Sequence, residues 1–215
     1  MIVNLFNGAA RGGDATGDTI SNFENLTGSN SADILRGDTV QNTLNGNNGN
    51  DRLEGREGED TLNGGIGNDL LLGGSENDLI NGDEGNDRIN GQTGDDILNG
   101  GDGTDRLLGA GGNDTLNAGE GENNVLDGGS GSDILNGSEN RDIIRGQAGV
   151  DIFDSGGGND ALTGGFGPDT FIFNANDGGD VINDFENNFD TIDLSSLGTS
   201  FGAVSYTHLT LPTKA

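Results

Sequence analysis

One nine-residue stretch sets the architecture that this sequence predicts: it reads Gly64-Gly65-Ile66-Gly67-Asn68-Asp69-Leu70-Leu71-Leu72. The same pattern recurs every nine residues in both directions, with one inserted residue between the tenth and eleventh of sixteen units. The position of Asp69, called the Asp slot below, holds Asp in fourteen units and Asn in two. The sixteen Asp slots are Asp33, Asn42, Asp51, Asp60, Asp69, Asp78, Asp87, Asp96, Asp105, Asp114, Asn124, Asp133, Asp142, Asp151, Asp160 and Asp169. Such a short period indicates a stack of repeated units rather than one conventional core.

An apolar residue stands two positions after every Asp slot. This residue is Leu, Ile or Phe in all sixteen units, whereas the residues on either side of it are mixed. Because side chains alternate along a strand, the pattern predicts a short strand with one side chain inside and its neighbours outside. The predicted inward residues are Leu35, Leu44, Leu53, Leu62, Leu71, Ile80, Ile89, Leu98, Leu107, Leu116, Leu126, Leu135, Ile144, Phe153, Leu162 and Phe171.

Glycine marks the other end of each unit. It opens fourteen of the sixteen units, with Ala118 and Ser155 as the exceptions, and a second glycine stands three positions later in twelve units. Glycine reaches backbone conformations with positive φ and has no Cβ to keep carbonyl groups apart. The residues before each strand are therefore predicted to form a turn whose oxygens converge.

The composition excludes an ordinary globular core. Of the 215 residues, 43 are Gly, only 29% are hydrophobic, and none is Trp. A chain with so little apolar material stays disordered unless a repeat or a bound ligand adds stability. The formal net charge of −28 makes cations the expected ligand and nucleic acid an unsuitable partner, because the phosphates would be repelled.

Cysteine is absent, which leaves hard oxygen atoms as the metal ligands on offer. No apolar run approaches the ~20 residues of a membrane-spanning helix, so we expect no transmembrane segment. Residues 1–5 lack the basic and apolar regions of a signal peptide, so we expect any export signal to lie elsewhere.

The unit Gly64–Leu72 resembles GGxGxDxUx, the RTX (repeats-in-toxin) haemolysin-type calcium-binding repeat. The resemblance covers roughly residues 18–197 and is specific, because sixteen units share one register. It implies an all-β fold, a right-handed parallel β-roll (a β-helix or solenoid) of nonapeptide repeats with two repeats per coil. Six residues of each unit would form a calcium-binding turn and three would form a short strand.

The resemblance also implies where the ions bind. Two repeats per coil place alternate turns on the same edge, so an ion would lie between one turn and the turn two repeats later. The first ladder of Asp slots contains Asp33, Asp51, Asp69, Asp87, Asp105, Asn124, Asp142 and Asp160. The second ladder contains Asn42, Asp60, Asp78, Asp96, Asp114, Asp133, Asp151 and Asp169. Eleven gaps have Asp on both sides, which gives about eleven candidate Ca²⁺ sites.

One pair of turns illustrates the ligands that the resemblance implies. The six oxygens would be the carboxylates of Asp69 and Asp87 and the carbonyls of Gly65, Gly67, Gly82 and Glu84. Six such oxygens suit Ca²⁺ better than Mg²⁺, which prefers a smaller and stricter octahedron. Further candidate donors in the following turns are Gly85, Gly100, Asp102 and Gly103.

Some units depart from the pattern. Ser31, Glu76 and Asn140 stand where the second glycine is expected. A longer side chain at positive φ costs about 1 kcal/mol or more, so the sites beside these residues should be weaker. The Asp slots concerned are Asp33, Asp78 and Asp142. The insertion before Asn124 is predicted to bulge one turn and to interrupt the first ladder but not the second.

The chain is predicted to contain four segments. Residues 1–27 would form an N-terminal capping segment, residues 28–172 the repeat β-roll, and residues 173–203 a C-terminal capping segment that covers the last strand edge. Residues 204–215 resemble translated sequencing adapter rather than natural protein, so His208 is given no functional weight. A type I secretion signal would then be missing from the C-terminus.

Other functions have less support in the sequence. An ice-binding array of Asn would need a flat lattice, which Glu54, Leu72, Leu108 and Arg145 interrupt. The HExxH and GxSxG motifs are absent, so we expect no enzymatic activity. Two classes remain: a calcium-binding module of a secreted, extracellular bacterial protein that folds with calcium, or the repeat fragment of a larger secreted enzyme, toxin or adhesin. In either class, type I secretion machinery is an expected partner.

Overall fold

The chain forms a parallel β-solenoid, which confirms the predicted β-roll architecture. A computed structural model describes residues 1–11 and 23–197. Its strands alternate between two sheets, so that the chain winds through about nine coils. The helical element of the described residues is one short 3₁₀ turn, Ser195–Leu197.

The first sheet has eleven strands, and its order is β2-β1-β4-β6-β8-β10-β12-β14-β16-β18-β20. These strands are β1 (Ile2–Asn4), β2 (Ala9–Arg11), β4 (Ile34–Arg36), β6 (Arg52–Glu57), β8 (Leu70–Ser75), β10 (Arg88–Thr93), β12 (Arg106–Gly111), β14 (Val125–Ser130), β16 (Ile143–Ala148), β18 (Ala161–Phe166) and β20 (Val181–Ile182). Only the β1–β2 pair is antiparallel.

The second sheet has ten strands, and its order is β21-β19-β17-β15-β13-β11-β9-β7-β5-β3. These strands are β3 (Asn25–Thr27), β5 (Thr43–Asn48), β7 (Thr61–Ile66), β9 (Leu79–Glu84), β11 (Ile97–Asp102), β13 (Thr115–Glu120), β15 (Ile134–Asn136), β17 (Ile152–Asp154), β19 (Thr170–Ile172) and β21 (Thr191–Asp193). All of its neighbouring strands run parallel.

Residues eighteen positions apart lie side by side in each sheet, as two repeats per coil require. In the pair β7–β9, Leu62 lies beside Ile80. Most strands are six residues long rather than the predicted three. The reason is that pairing resumes after the opening glycine: Gly65 lies beside Asp83, while Gly64 between the two paired stretches makes no ladder pair.

The core is a single column of side chains between the two sheets. All sixteen predicted inward residues are buried, from Leu35 to Phe171. The column becomes aromatic near its C-terminal end, where the rings of Phe153 and Phe171 stack with their centroids 4.7 Å apart. Phe185 of the predicted C-terminal capping segment packs against this end. The hydrophobic core thus consists of one apolar side chain per unit together with Val3 and Ala118.

The segments outside the repeats continue the same sheets. The boundary predicted at residue 172 coincides with the end of β19, and β20 and β21 then add one strand to each sheet. The tail at residues 204–215, with His208, lies outside the described residues, as do residues 198–203 and residues 12–22. The four-segment division stays a prediction. No helix among the described residues is both long and apolar enough to cross a membrane.

Candidate metal centres

All sixteen Asp slots are buried, with 3% or less of each residue exposed to solvent. Each lies at the end of a turn, directly before the first residue of the strand that follows. Slots of the first ladder lead into the first sheet, and slots of the second ladder lead into the second sheet. The pairing of alternate turns on one edge is therefore present as predicted.

One carboxylate oxygen of each slot is committed to the backbone. The backbone N–H of Asp69 donates to Oδ1 of Asp87 over 2.7 Å, and that of Asp51 donates to Oδ1 of Asp69 over 2.6 Å. The same bond joins every successive pair in both ladders, at 2.6–3.0 Å. The sequence did not predict that one oxygen of each carboxylate would bind the backbone, because the repeat spacing locates a side chain but not its individual atoms.

The other carboxylate oxygen, Oδ2, has no hydrogen-bond partner in most slots. This holds for Asp51, Asp60, Asp69, Asp78, Asp87, Asp96, Asp105, Asp114, Asp133, Asp151, Asp160 and Asp169. Buried polar atoms almost always have partners, because an unpaired one forfeits its solvation without compensation. Twelve such atoms in two regular columns indicate that a cation coordinated by oxygen atoms binds here.

Backbone oxygens share the space around each unpartnered Oδ2. A Cβ on Gly64 would stand 2.7 Å from the carbonyl oxygen of Gly82 and closer still to Oδ2 of Asp69. Gly64 does not have positive φ, so glycine is required here because oxygens occupy the space that a Cβ would take. A cation bound between the two turns would meet this carboxylate from one turn and this carbonyl from the other.

Further carbonyl groups of the predicted ligand set enter the same gap. The carbonyl oxygen of Gly67 points at the Cα of Gly85 in the next turn of the ladder. The carbonyl of Glu84 points back and accepts the N–H of Gly67 over 2.8 Å. The carbonyls of Gly85, Gly100 and Asp102 repeat this arrangement one coil further, and that of Gly103 faces the gap after it.

The donor set therefore fits a hard divalent cation. Each gap with Asp on both sides offers two carboxylates and several backbone carbonyls, which are the ligands that Ca²⁺ takes in proteins. Among the described residues no group of three or more His, Cys, Asp or Glu side chains gathers at one point. A cation between two carboxylates would therefore take its other protein ligands from backbone carbonyls, as the glycine pattern predicts.

Burial makes several of the slot carboxylates harder to ionise than an exposed Asp. Burial, reinforced by the charges of neighbouring carboxylates, raises the pKa of Asp60 to about 7 and that of Asp78 to about 8. The pKa of Asp87, Asp114 and Asp151 is likewise raised to about 7, with burial as the main cause. A bound divalent cation would remove the cost of keeping these groups ionised.

In three turns, called closed turns below, a residue of the turn itself donates to the side chain in the slot. In the turn 137–142, the N–H and hydroxyl of Ser138 donate to Oδ2 of Asp142 over 2.7 and 2.8 Å. Ser29 does the same for Asp33 in the turn 28–33. In the turn 37–42, the N–H of Asp38 donates to the side-chain oxygen of Asn42. The remaining repeat turns, except the one ending at Asn124, leave Oδ2 unpartnered and are called open turns.

The departures predicted to weaken sites have different structural outcomes. Asp33 and Asp142 lie in closed turns, whereas Asp78 keeps an unpartnered Oδ2 although Glu76 precedes it. Glu76 adopts a φ of 71°, and its carboxylate accepts the N–H of Gly58 over 2.8 Å, which compensates for the unfavourable backbone conformation. The weakening of these sites stays a prediction.

The insertion before Asn124 does not break the first ladder, so this expectation was wrong for the hydrogen bonds. The side-chain oxygen of Asn124 accepts the N–H of Asp105 over 2.7 Å, because an amide oxygen serves this bond as well as a carboxylate. What changes is the other atom: Nδ2 of Asn124 is buried without a partner where the other slots have Oδ2. Both ladders absorb the extra residue as a step of 19.

Sequence reasoning missed two residues that extend the ladders. The N–H of Asp160 donates to Oδ1 of Asp180, and the N–H of Asp169 donates to Oδ1 of Asp190. The spacings are 20 and 21 residues instead of 18, so a search at period nine passes over them. The available signal was the apolar residue two positions after each, Ile182 and Ile192.

Six outward Asn residues of the second sheet form a hydrogen-bonded column. Asn45 is the first acceptor, and the side-chain amides of Asn63, Asn81, Asn99, Asn117 and Asn136 each donate to the amide oxygen of the preceding member, over 2.7–2.8 Å. The four residues expected to interrupt an Asn lattice all lie in strands of the first sheet. That argument does not apply to the second sheet, where the amides bind one another and support the strand register.

Comparison with protein families gives one result. The family model described as RTX calcium-binding nonapeptide repeat (four copies) matches the chain in overlapping stretches. These are residues 27–62, 36–71, 45–80, 63–98, 72–107, 81–116, 90–125, 108–143 and 136–171, which together cover more than half of the sequence. No curated protein matches the chain.

Proposed function

The chain belongs to the RTX calcium-binding nonapeptide repeat family, and from this premise we propose that it binds a column of Ca²⁺ along each edge of the roll. The ions hold the chain folded, and the folded module acts outside the cell. The proposed role is binding and structural, with no reaction of its own.

The observation that carries this proposal is the set of unpartnered Oδ2 atoms in the open turns. Ten of the twelve face another repeat turn across a gap, and the other two, on Asp160 and Asp169, face the C-terminal capping segment. A gap can hold an ion when the slot before it has a free Oδ2 and the slot after it presents Oδ1. The proposed repeat sites therefore begin at Asp51, Asp60, Asp69, Asp78, Asp87, Asp96, Asp105, Asp114, Asp133 and Asp151.

This set differs from the eleven gaps counted in the sequence. The gaps that begin at Asp33 and Asp142 are dropped, because Ser29 and Ser138 occupy the Oδ2 atoms. The gap between Asp105 and Asn124 is added, because the amide oxygen of Asn124 takes the place of Oδ1.

Folding and calcium binding are proposed to be one event. The interior holds one apolar side chain per unit, which is little return for the backbone entropy lost by ordering nine residues. The ligands gather only in the folded roll, so the free energy of binding becomes free energy of folding. The net charge of −28 opposes folding until cations are bound.

This coupling supports a secreted, extracellular setting. Extracellular calcium modules bind with dissociation constants on the order of 10⁻⁴–10⁻³ M, so the chain would remain unfolded in the cytosol and fold after export. Passage through type I secretion machinery as an unfolded chain follows from the same property. The module can serve by itself or as part of a larger secreted enzyme, toxin or adhesin.

Circular dichroism with and without calcium tests the proposal. In chelator we expect mostly disorder, and millimolar Ca²⁺ should produce a cooperative rise of the β signal that equal Mg²⁺ does not reproduce. Isothermal titration should give about ten ions from the repeats. A full β spectrum in chelator would refute the coupling, and the absence of calcium binding would refute the function itself.

A further inference from the structure

The family match ends at residue 171, but both ladders continue into the C-terminal capping segment. Asp160 donates its N–H to Oδ1 of Asp180 over 2.9 Å, and Asp169 donates to Oδ1 of Asp190 over 3.1 Å. These are the same bonds that connect successive repeat turns. Asp180 and Asp190 also precede β20 and β21, as each Asp slot precedes a strand.

The gap between Asp160 and Asp180 has the features of an open turn. Asp160 is 2% exposed, and its Oδ2 has no partner. The carbonyl oxygen of Gly158 points at the Cα of Gly178, which has a φ of 103°. Residues 174–180 therefore repeat the turn geometry of the roll without its nine-residue spacing.

The gap between Asp169 and Asp190 also has the features of an open turn. Asp169 is 1% exposed with an unpartnered Oδ2, which lies against the Cα of Gly164. Asp184 adds a carboxylate beside this gap by accepting the N–H groups of Gly164 and Gly165, each over 2.9 Å.

The charge of the capping segment makes its docking unfavourable without cations. Residues 173–203 contain six acidic residues and no Lys, Arg or His. The ion pairs found within residues 1–11 and 23–197 involve none of these six. Among the described residues of the segment, Phe173, Ile182 and Phe185 pack against the core and are only partly buried.

We propose that two further Ca²⁺ ions bind beyond the repeats, across the gaps Asp160/Asp180 and Asp169/Asp190, and fasten the capping segment to the roll. The inference rests on the proposed function, because it extends the same ligand arrangement. The unpartnered, buried Oδ2 atoms of Asp160 and Asp169 point to these ligands independently of the acidic cluster. Calcium would thus both fold the repeats and close the open end of the two sheets.

The test uses the double variant Asp180→Asn/Asp190→Asn in the full chain. An Asn side chain keeps the oxygen that accepts the ladder bond, as Asn124 does, but removes the charge. Asp193→Asn is the matched control, since Asp193 lies in β21 outside both ladders. The readouts are calcium stoichiometry by isothermal titration and hydrogen–deuterium exchange of residues 181–193 at increasing Ca²⁺.

We expect the double variant to bind up to two fewer ions and to need about tenfold more Ca²⁺ for protection of residues 181–193, since carboxylate count sets the affinity of such sites. Protection of β5–β13 from exchange should be unchanged. This result would show that the variant folds. Unchanged stoichiometry with unchanged protection would overturn the inference. Asp96→Ala, measured in parallel, separates the two failures: if it too binds every ion, the proposed repeat sites are wrong, and if it alone loses ions, only the capping sites are wrong.

Discussion

The turns 64–69 and 137–142 have the same first and last residues but use their carboxylates differently. Each begins with Gly and ends with a buried Asp. Oδ2 of Asp69 has no partner, whereas Oδ2 of Asp142 accepts two hydrogen bonds from Ser138. A slot Asp therefore does not define a metal site by itself. The residues between the two ends decide whether the carboxylate faces an ion or its own turn.

The backbone explains the difference between the two turns. Gly67 has a φ of 145°, and its carbonyl points across the gap. Asn140 at the equivalent position does not have positive φ, which leaves the turn free to bring Ser138 over the carboxylate. Glu76 shows that a non-glycine residue can hold the open conformation when its own side chain binds a neighbouring turn.

The largest effect is expected from removing an open-turn carboxylate. Asp96→Ala takes Oδ1 from one gap and Oδ2 from the next, so titration calorimetry should show two fewer ions and folding should need more calcium. Asp102→Ala is the control, because its side chain is exposed and only its carbonyl faces the gap. Equal losses from the two variants would show that the ladder register is wrong.

A smaller effect is expected from filling the space beside one carboxylate. Gly64→Ala places a Cβ against Oδ2 of Asp69 and 2.7 Å from the carbonyl oxygen of Gly82, so one ion should be lost. In Gly111→Ala the new Cβ would be 3.5 Å from its nearest neighbour, and calcium binding should not change. If both variants titrate like the parent chain, the two oxygens near Gly64 do not bind metal.

The closed turn can be converted into an open one. Ser138→Gly/Asn140→Gly removes the hydroxyl donor and restores glycine at the position of Gly67. The turn can then adopt the open conformation, in which the N–H of residue 138 no longer reaches Oδ2 of Asp142 and this oxygen is free. The gap to Asp160 should then bind one additional ion, measured by titration. Ser130→Gly is the control, because Ser130 lies in an open turn and bonds a carbonyl instead. A stoichiometry that stays at the parent value would mean that Ser138 is not what closes this turn.

The smallest effect concerns protons in the metal-free chain. The pKa values of Asp60 and Asp78, about 7 and about 8, lie above the ordinary value of 3.8 because of burial. Protonation therefore favours the roll: this stabilisation is fully present below about pH 4 and disappears as the pH rises through 6–8. In chelator, lowering the pH from 8 to 5 should increase the β signal in circular dichroism. The increase should be smaller in Asp78→Asn. A β signal that decreases when the pH is lowered from 8 to 5 would contradict the open-turn geometry.

The periodic features of this protein could be predicted from its sequence. A strict spacing of nine places Leu71 and Ile80 inside, Asp69 and Asp78 on opposite edges, and glycine where backbone oxygens crowd together. The inward position follows from alternation along a strand and can be read by counting residues, whereas the assignment to two edges uses the two repeats per coil that the resemblance to the RTX repeat implies.

The atomic details required the folded chain. Whether an Oδ2 is free depends on hydrogen bonds within its own turn, which Ser138 makes with its N–H and its hydroxyl and Gly65 does not make. The roles of Asp180 and Asp190 depend on loops of irregular length that return a carboxylate to the ladder at spacings of 20 and 21. The period of a sequence shows which residue types are repeated, whereas a metal site depends on which atoms meet across the gap. The period therefore fails to predict the site wherever a turn changes length or satisfies its own polar groups.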